Sequence, residues 1–572
     1  MEGLEVTVLL GLAVLIGTVL APRLRLATPL VLLIIGLLLG FFPQLREIEL
    51  PPETVLLLFL PVMLFWESLT TSIRAIRRSL RYIVPMSTLL VVASAFAVAG
   101  IATAMGVPWE AALILGAAVA PPDATAVAAL GRLLPPRTFM KLKAESLTND
   151  GTALVLYAIA VSVATGGQIT AWTVTWTVLV SYLGGAAAGI AVAALAYFGL
   201  RRMRSSLSIN IALLLVPFTA FLLAELMGAS GVLAVVFAGL IIAWISPRIT
   251  TAASRRQAVA AWPFGVYLLN GALFVLIGIE VQHVVHEISA REIGWLTLVT
   301  VAVWIALLVV RYLFQLLFAP FSRPAAGGPS YSHNRARIVS TFAGFRGAVS
   351  LAIALSVPLT TSAGEALAGR DAVVFVTAGV IVLSLLVQGP LLPAVVRWAN
   401  LPADDAAASE LELAQRAISG AAMAALDDLA AEHGISDDVR DRARRDGYEM
   451  LELANARAYA RQRASDDDEI AELETMFDAP DAVPAASGSV PVADGSGLEM
   501  IATSTDIDVT QRSPIVRFEE ASRLKLAMID RKREVLLRLR RDGTIDDLVA
   551  RRVEAHLDVE ELRLSGPGDE FD

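Results

Sequence analysis

The chain has 572 residues, 56% of them hydrophobic and 18% charged, and it contains no cysteine. Soluble domains average about 45–50% apolar and about 25% charged residues, so a purely soluble globular protein does not fit. The missing cysteines exclude a disulfide framework, a thiolate nucleophile and Cys-ligated zinc or iron–sulfur sites. The formal net charge of −9 is a composite, because residues 1–398 carry +9 and residues 399–572 carry −18.

The first part reads as an all-α polytopic membrane domain. Thirteen apolar segments lie near 5–21, 27–42, 53–71, 82–105, 109–131, 146–165, 171–199, 206–226, 230–246, 257–280, 293–320, 336–358 and 372–396. Most reach the roughly 18 residues that cross a hydrocarbon core about 30 Å thick. Glu2 and Glu5 stand where a cleavable signal would carry Lys or Arg, so the first segment is expected to remain as a span. Lys and Arg accumulate on the cytoplasmic side of membrane proteins. One set of alternate loops holds 20 basic residues, Arg74, Arg77, Arg81, Lys141 and Lys143 among them, and the other holds only Arg46, Arg291 and Arg370. An odd number of spans accounts for this alternation, with the N-terminus outside and the tail cytoplasmic.

Ionisable residues in or near the spans are few: Glu67, Asp123, Glu145, Asp150, Glu225, Glu280, Arg311 and Arg346. A charge at membrane depth is costly and marks an ion pathway, a proton relay or a buried pair. Glu225 and Glu280 fall near outer helix ends and read as interfacial. Asp123 follows Pro121 and Pro122 in the middle of the fifth segment. Prolines lack N–H groups and clash with carbonyls one turn back, so the helix should open there and free carbonyl oxygens beside a carboxylate. Such backbone is tolerated only inside protein or against a cavity. Carbonyls plus a carboxylate suit a small hard cation.

The sixth segment opens Glu145-Ser146-Leu147-Thr148-Asn149-Asp150. On a helix Ser146 and Asp150 share a face, with Asn149 beside them. Asp150 can hold either a proton or a metal ion, so the two can exchange by competition. In the twelfth segment Gly344 and Gly347 bracket Phe345 and Arg346, which makes a second irregular span. It lies seven segments after the fifth, and an odd offset reverses the direction of crossing. Segments 1–6 and 8–13 thus read as inverted repeats with interrupted helices in corresponding places, a pattern that points to a midplane ion site. Arg346 needs a partner, for which Glu145 is the first candidate and Glu67 the second.

Six stretches then carry a family resemblance: Leu60-Pro-Val-Met-Leu-Phe-Trp-Glu67, Ala120-Pro-Pro-Asp-Ala-Thr-Ala-Val127, Glu145-Ser-Leu-Thr-Asn-Asp-Gly151, Ala229-Ser-Gly-Val-Leu-Ala-Val-Val-Phe-Ala-Gly239, Asn270-Gly-Ala-Leu-Phe-Val-Leu-Ile-Gly278 and Phe345-Arg-Gly-Ala-Val-Ser-Leu-Ala352. In this order they resemble the cation:proton antiporter-1 family, the sodium/proton exchangers of bacteria and eukaryotes. The resemblance implies that Asp150 takes Na⁺ and H⁺ in turn, with Asp123 and Ser146 helping to hold the cation. It makes Asn149 the Asn of an Asn-Asp pair that accompanies electroneutral exchange of one cation for one proton. It also implies a structural ion pair of Glu145 with Arg346, supporting polar roles for Glu67, Asn270 and Arg311, and a homodimer. Pro122 stands where bacterial members often have Thr, so a hydroxyl is lost while the carbonyl of Pro122 stays available. No resident cofactor is implied beyond the transported Na⁺ or Li⁺ and H⁺.

The tail reads as a helical region over 399–477, a disordered linker over 478–513 rich in Ala, Pro, Ser, Gly and Asp, and amphipathic helices over 514–572. No Gly-x-Gly-x-x-Gly or Walker loop supports nucleotide sensing. His433 and His556 read as surface residues, and His283 and His286 as outer-loop residues. The acidic tail is expected to dock on the basic cytoplasmic loops. The function expected is Na⁺(Li⁺)/H⁺ antiport across the cell membrane. The alternatives are a K⁺/H⁺ exchanger on the same architecture and a membrane sensor signalling through its tail. Neither an enzyme nor a nucleic-acid partner is expected.

Overall fold

The computed structural model describes residues 2–24, 26–42, 52–123, 134, 136–166, 170–318, 333–361, 364–400, 406–449, 452 and 514–565. The chain forms two compact units, Met1–Asp405 and Ala406–Asp569. In the first, nine helices among the described residues are long and apolar enough to cross a membrane. They are Val6–Leu24, Ser79–Ala104, Thr138–Ala164, Ala171–Leu200, Ser206–Leu226, Gly231–Arg248, Ala252–His286, Ala290–Leu317 and Arg370–Ala399. They coincide with nine of the thirteen segments read from the sequence. The second, third and fifth segments form the shorter apolar helices Thr28–Leu39, Leu57–Leu69 and Trp109–Val119. The twelfth is split into His333–Phe342 and Ala348–Leu355. The C-terminal part of the fifth segment, 124–131, and the linker at 478–513 lie outside the described residues.

Local chemistry sets several helix ends. Ser289 and Glu292 form a capping box that opens the eleventh segment, and Thr170 and Thr173 do the same for the seventh. The sixth segment begins at Pro136, ten residues before the apolar run suggested. Its first turns are polar and hide the start from a hydropathy reading. Glu145 to Asp150 therefore lie more than two turns inside the helix.

Most apolar side chains of the first unit gather in three large clusters. One joins the third, eighth, ninth and tenth segments around Phe65, Ile209 and Leu273. The second joins the fourth, fifth, eleventh and thirteenth around Leu115, Val303 and Val376, and the third centres on Leu33, Val275 and Phe345. The short Thr28–Leu39 helix packs backbone to backbone on the tenth segment. A Cβ on Gly36 would overlap the carbonyl of Val275, and one on Gly278 that of Leu33. Small residues at such a crossing are how helices approach closely without a hydrophobic driving force. Leu183, Leu195, Leu207, Leu222 and Leu226 on the seventh and eighth segments stay exposed. A large exposed apolar face fits lipid as the solvent.

In the second unit Ala406–Ala424, Pro514–Asp542 and Asp547–Ser565 pack around Ile418, Ile529, Leu536, Val549 and Leu557. The regions on either side of the linker thus share one core. Arg540 Nε donates to Asp547 Oδ1 at 2.7 Å within it. His433 and His556 are exposed.

Candidate cation and proton site

The two interrupted segments meet each other. The fifth-segment helix ends at Val119, because Pro121 and Pro122 cannot donate, and the chain runs non-helically to Asp123. The Asp123 N–H donates to the carbonyl of Phe345 at 2.8 Å, in the gap between the two halves of the twelfth segment. Arg346 fills this crossing. Its Nε donates to the carbonyl of Val119 and its Nη1 to that of Gly344, at 2.8 Å. Those carbonyls lie at the C-terminal ends of the broken helices, where the helix dipole favours a cation. Asp123 sits at the opposite pole. Its carboxylate lies against Gly347, which precedes Ala348–Leu355, so it faces a helix N-terminus that favours an anion.

Arg346 is therefore not the partner of Glu145 that the sequence reading expected. Arg311 takes that place, with Nη1 2.6 Å from Glu145 Oε1 and side-chain exposures of 3% and 1%. Arg311 also donates through Nε to the carbonyl of Ser340 at 3.0 Å, and Gln315 holds the Ser340 hydroxyl at 2.9 Å. The physical reason is local. Arg346 lies among carbonyls released by two helix breaks, whereas Arg311 sits in an unbroken helix and needs a carboxylate from another segment.

Asn149 Nδ2 donates to the carbonyl of Pro122 at 3.2 Å, which ties the sixth segment to the broken fifth. Ser146 and Asp150 are buried on the same helix, Asp150 at 3% exposure. The Asp150 carboxylate accepts no hydrogen bond from any described residue, and Glu67 and Asp123 both act on it electrostatically. Beside Asp123 lies a cavity of about 200 Å³ lined by Glu67, Thr70, Asp123, Lys143, Asn270 and the apolar Trp66 and Phe139, among others. The Oε1 of Glu67 and the Oδ1 of Asn270 are buried without a hydrogen-bond partner among the described residues. Lys143 and Tyr157 flank Asp150 seven residues to either side, about 10 Å along the helix. On the Lys143 side is the cavity. On the Tyr157 side the phenol donates to the carbonyl of Ser356 at 2.6 Å, and Arg370 pairs with Glu280 at 3.0 Å.

Geometry thus brings Asp123, Asn149, Pro122, Arg346 and Gly347 into one crossing, with Ser146 and Asp150 on the helix next to it and Glu67 and Asn270 on the cavity wall. Lys143 and Thr70 were missed as site residues because a lysine near a helix start reads as loop charge. Adding a methyl at Gly347 would overlap Asp123 Oδ2. Gly347→Ala is therefore expected to raise the half-saturating cation concentration about tenfold, read as cation-dependent proton movement in proteoliposomes.

Broken helices crossing over buried carboxylates form the architecture of secondary ion transporters. The chain belongs to the sodium/hydrogen exchanger family, whose model, described as "Sodium/hydrogen exchanger, transmembrane", matches residues 10–398. It is 37% identical over 574 residues to an uncharacterized Na(+)/H(+) exchanger of Mycobacterium tuberculosis strain H37Rv, covering 99% of this chain and 97% of that one. It is 30% identical to a sodium, potassium, lithium and rubidium/H(+) antiporter of Bacillus pumilus, over 64% of this chain and 57% of that protein. The structure of the sodium proton antiporter MjNhaP1 from Methanocaldococcus jannaschii matches with a TM-score of 0.56 and 18% identity. That match covers 69% of this chain and 99% of the other, and it shows a shared fold.

Proposed function

We propose that this chain exchanges Na⁺ or Li⁺ for H⁺ across the cell membrane, one for one, with Asp150 holding proton and cation in turn. The observation that carries the reading is the buried Asp150 carboxylate, which accepts no hydrogen bond from any described residue. Beside it lie the crossing's carbonyl of Pro122 and carboxylate of Asp123. A carboxylate left open in this way has room for one proton or one cation. Ser146 supplies a hydroxyl to the cation, and Asn149 positions the Pro122 carbonyl. Glu145 and Arg311 brace the sixth segment, and Glu67 and Asn270 line the approach. The basic loops put the Lys143 side at the cytoplasm, the N-terminus outside and the tail inside. The exposed apolar faces of the seventh and eighth segments serve lipid and a second copy of the chain. The tail, at −18, regulates exchange through the basic loops.

Proteoliposomes loaded with a ΔpH and challenged with Na⁺, Li⁺ or K⁺ test the reading, by fluorescence dequenching of a pH-sensitive dye. Dequenching by Na⁺ and Li⁺ supports it, and no response to any cation refutes it. A response to K⁺ equal to that for Na⁺ favours a broader monovalent exchanger, as the name of the Bacillus pumilus relative suggests. One-for-one exchange should ignore a valinomycin-clamped voltage. Each net charge moved is worth about 2.3 kcal/mol per 100 mV, so an electrogenic cycle would change rate plainly.

A further inference from the structure

The cavity beside the crossing has one feature that cation exchange does not call for. An entrance for Na⁺ lined by Glu67 and Asp123 also holds an ammonium group, that of Lys143. Its Nζ donates to the hydroxyl of Thr70 at 2.6 Å, so a residue of the third segment fixes where the charge stands. The side chain is half-buried, and Glu67 and Lys143 act on each other electrostatically. Seven residues separate Lys143 from Asp150, two turns along one helix face.

We infer that Lys143 is a tethered cation of the vestibule that competes with the incoming ion for Glu67 and so sets the apparent cation affinity of exchange. This rests on the exchange reading above and adds to it a residue outside the ion's own ligand set. A Na⁺ ion entering the cavity meets two carboxylates and, lining the same cavity, an ammonium that cannot leave. To use Glu67 the ion must approach against that fixed positive charge, which already acts on the carboxylate. The cost falls on binding and not on the step that carries the loaded site across. Lys143 is therefore an affinity-determining residue, and Thr70 the group that positions it.

The effect is read in the full-length protein in proteoliposomes. Lys143→Met should lower the half-saturating Na⁺ concentration about threefold, the size expected for a partly screened charge–charge interaction. The maximal rate should stay close to that of the parent. Lys143→Arg keeps the charge and should keep the parental affinity. In a Glu67→Gln background, removing Lys143 should no longer change the affinity, which a merely structural lysine would not produce. If Lys143→Met misfolds, Lys143→Gln serves. The Na⁺ concentration that half-maximally raises the melting temperature of purified protein gives the same comparison without turnover. An unchanged or raised half-saturating Na⁺ in the neutral variants, or an equal shift in Lys143→Arg, overturns the inference. A parent protein without Na⁺-driven proton movement refutes the exchange reading instead, so the two failures are distinct.

Discussion

Asp150→Asn should reduce Na⁺-driven proton movement to the level of empty liposomes while leaving a folded, monodisperse protein. The two expectations have separate causes. Asparagine nearly matches the shape of aspartate, and the Asp150 carboxylate accepts no hydrogen bond from the described residues that the change would break. Folding therefore has little to lose. Function has everything to lose, because an amide neither takes up a proton nor balances a cation. Competition for one carboxylate also gives the parent protein a signature in pH. Where the proton-bound form dominates, the half-saturating Na⁺ concentration should rise up to about tenfold per unit fall in pH, with the maximal rate unchanged. Sustained exchange by Asp150→Asn would move the competing site to another carboxylate, with Asp123 the next to test.

Breaking the Glu145–Arg311 pair should have the largest effect on stability. Removing one member of a buried ion pair strands the other charge and costs about 3–5 kcal/mol. Arg311→Met is thus expected to lower the melting temperature and the yield of monodisperse protein sharply. Combined with Glu145→Gln, it should recover part of that loss, because no uncompensated charge remains. A double-mutant cycle separates this pair from the one the sequence suggested. Glu145→Gln should couple strongly to Arg311→Met and weakly to Arg346→Met, whose guanidinium is held by the carbonyls of Val119 and Gly344. Stronger coupling to Arg346 would reverse the assignment.

Why one arginine was misassigned shows where sequence reading runs out. Asp123 and Asp150 stood out because ionisable residues inside apolar segments are rare, and the breaks at Pro121-Pro122 and Gly344–Gly347 were legible from backbone chemistry alone. Partner choice was not legible. Arg311 and Arg346 both lie inside spans opposite one buried glutamate, and the glycines made Arg346 look like the residue that needed a carboxylate. In fact those glycines belong to a break that supplies it with carbonyls. Interior position also went unread. Hydropathy marks the fifth segment as a span without showing that eight of the eleven residues of Trp109–Val119 are buried against other segments. Lys143 was hidden for the opposite reason, since its charge was absorbed into the loop count that set the topology.

The reassignment of Arg346 has an electrical consequence for leakage. Among the described residues around the crossing and its cavity stand four carboxylates, Glu67, Asp123, Glu145 and Asp150, and three cations, Lys143, Arg311 and Arg346. Glu145 is matched by Arg311, Asp123 shares its crossing with Arg346, and Glu67 and Lys143 line one cavity. At formal charge the shortfall is one elementary unit, and it belongs to Asp150. On the proposed exchange at Asp150, a single proton or a single monovalent ion would cancel it, and either load would present the same neutral body to the hydrocarbon. An empty carrier would have to move with an uncompensated charge through a medium that penalises it heavily. On that reading, stalling of the unloaded form would keep the two gradients from running down independently.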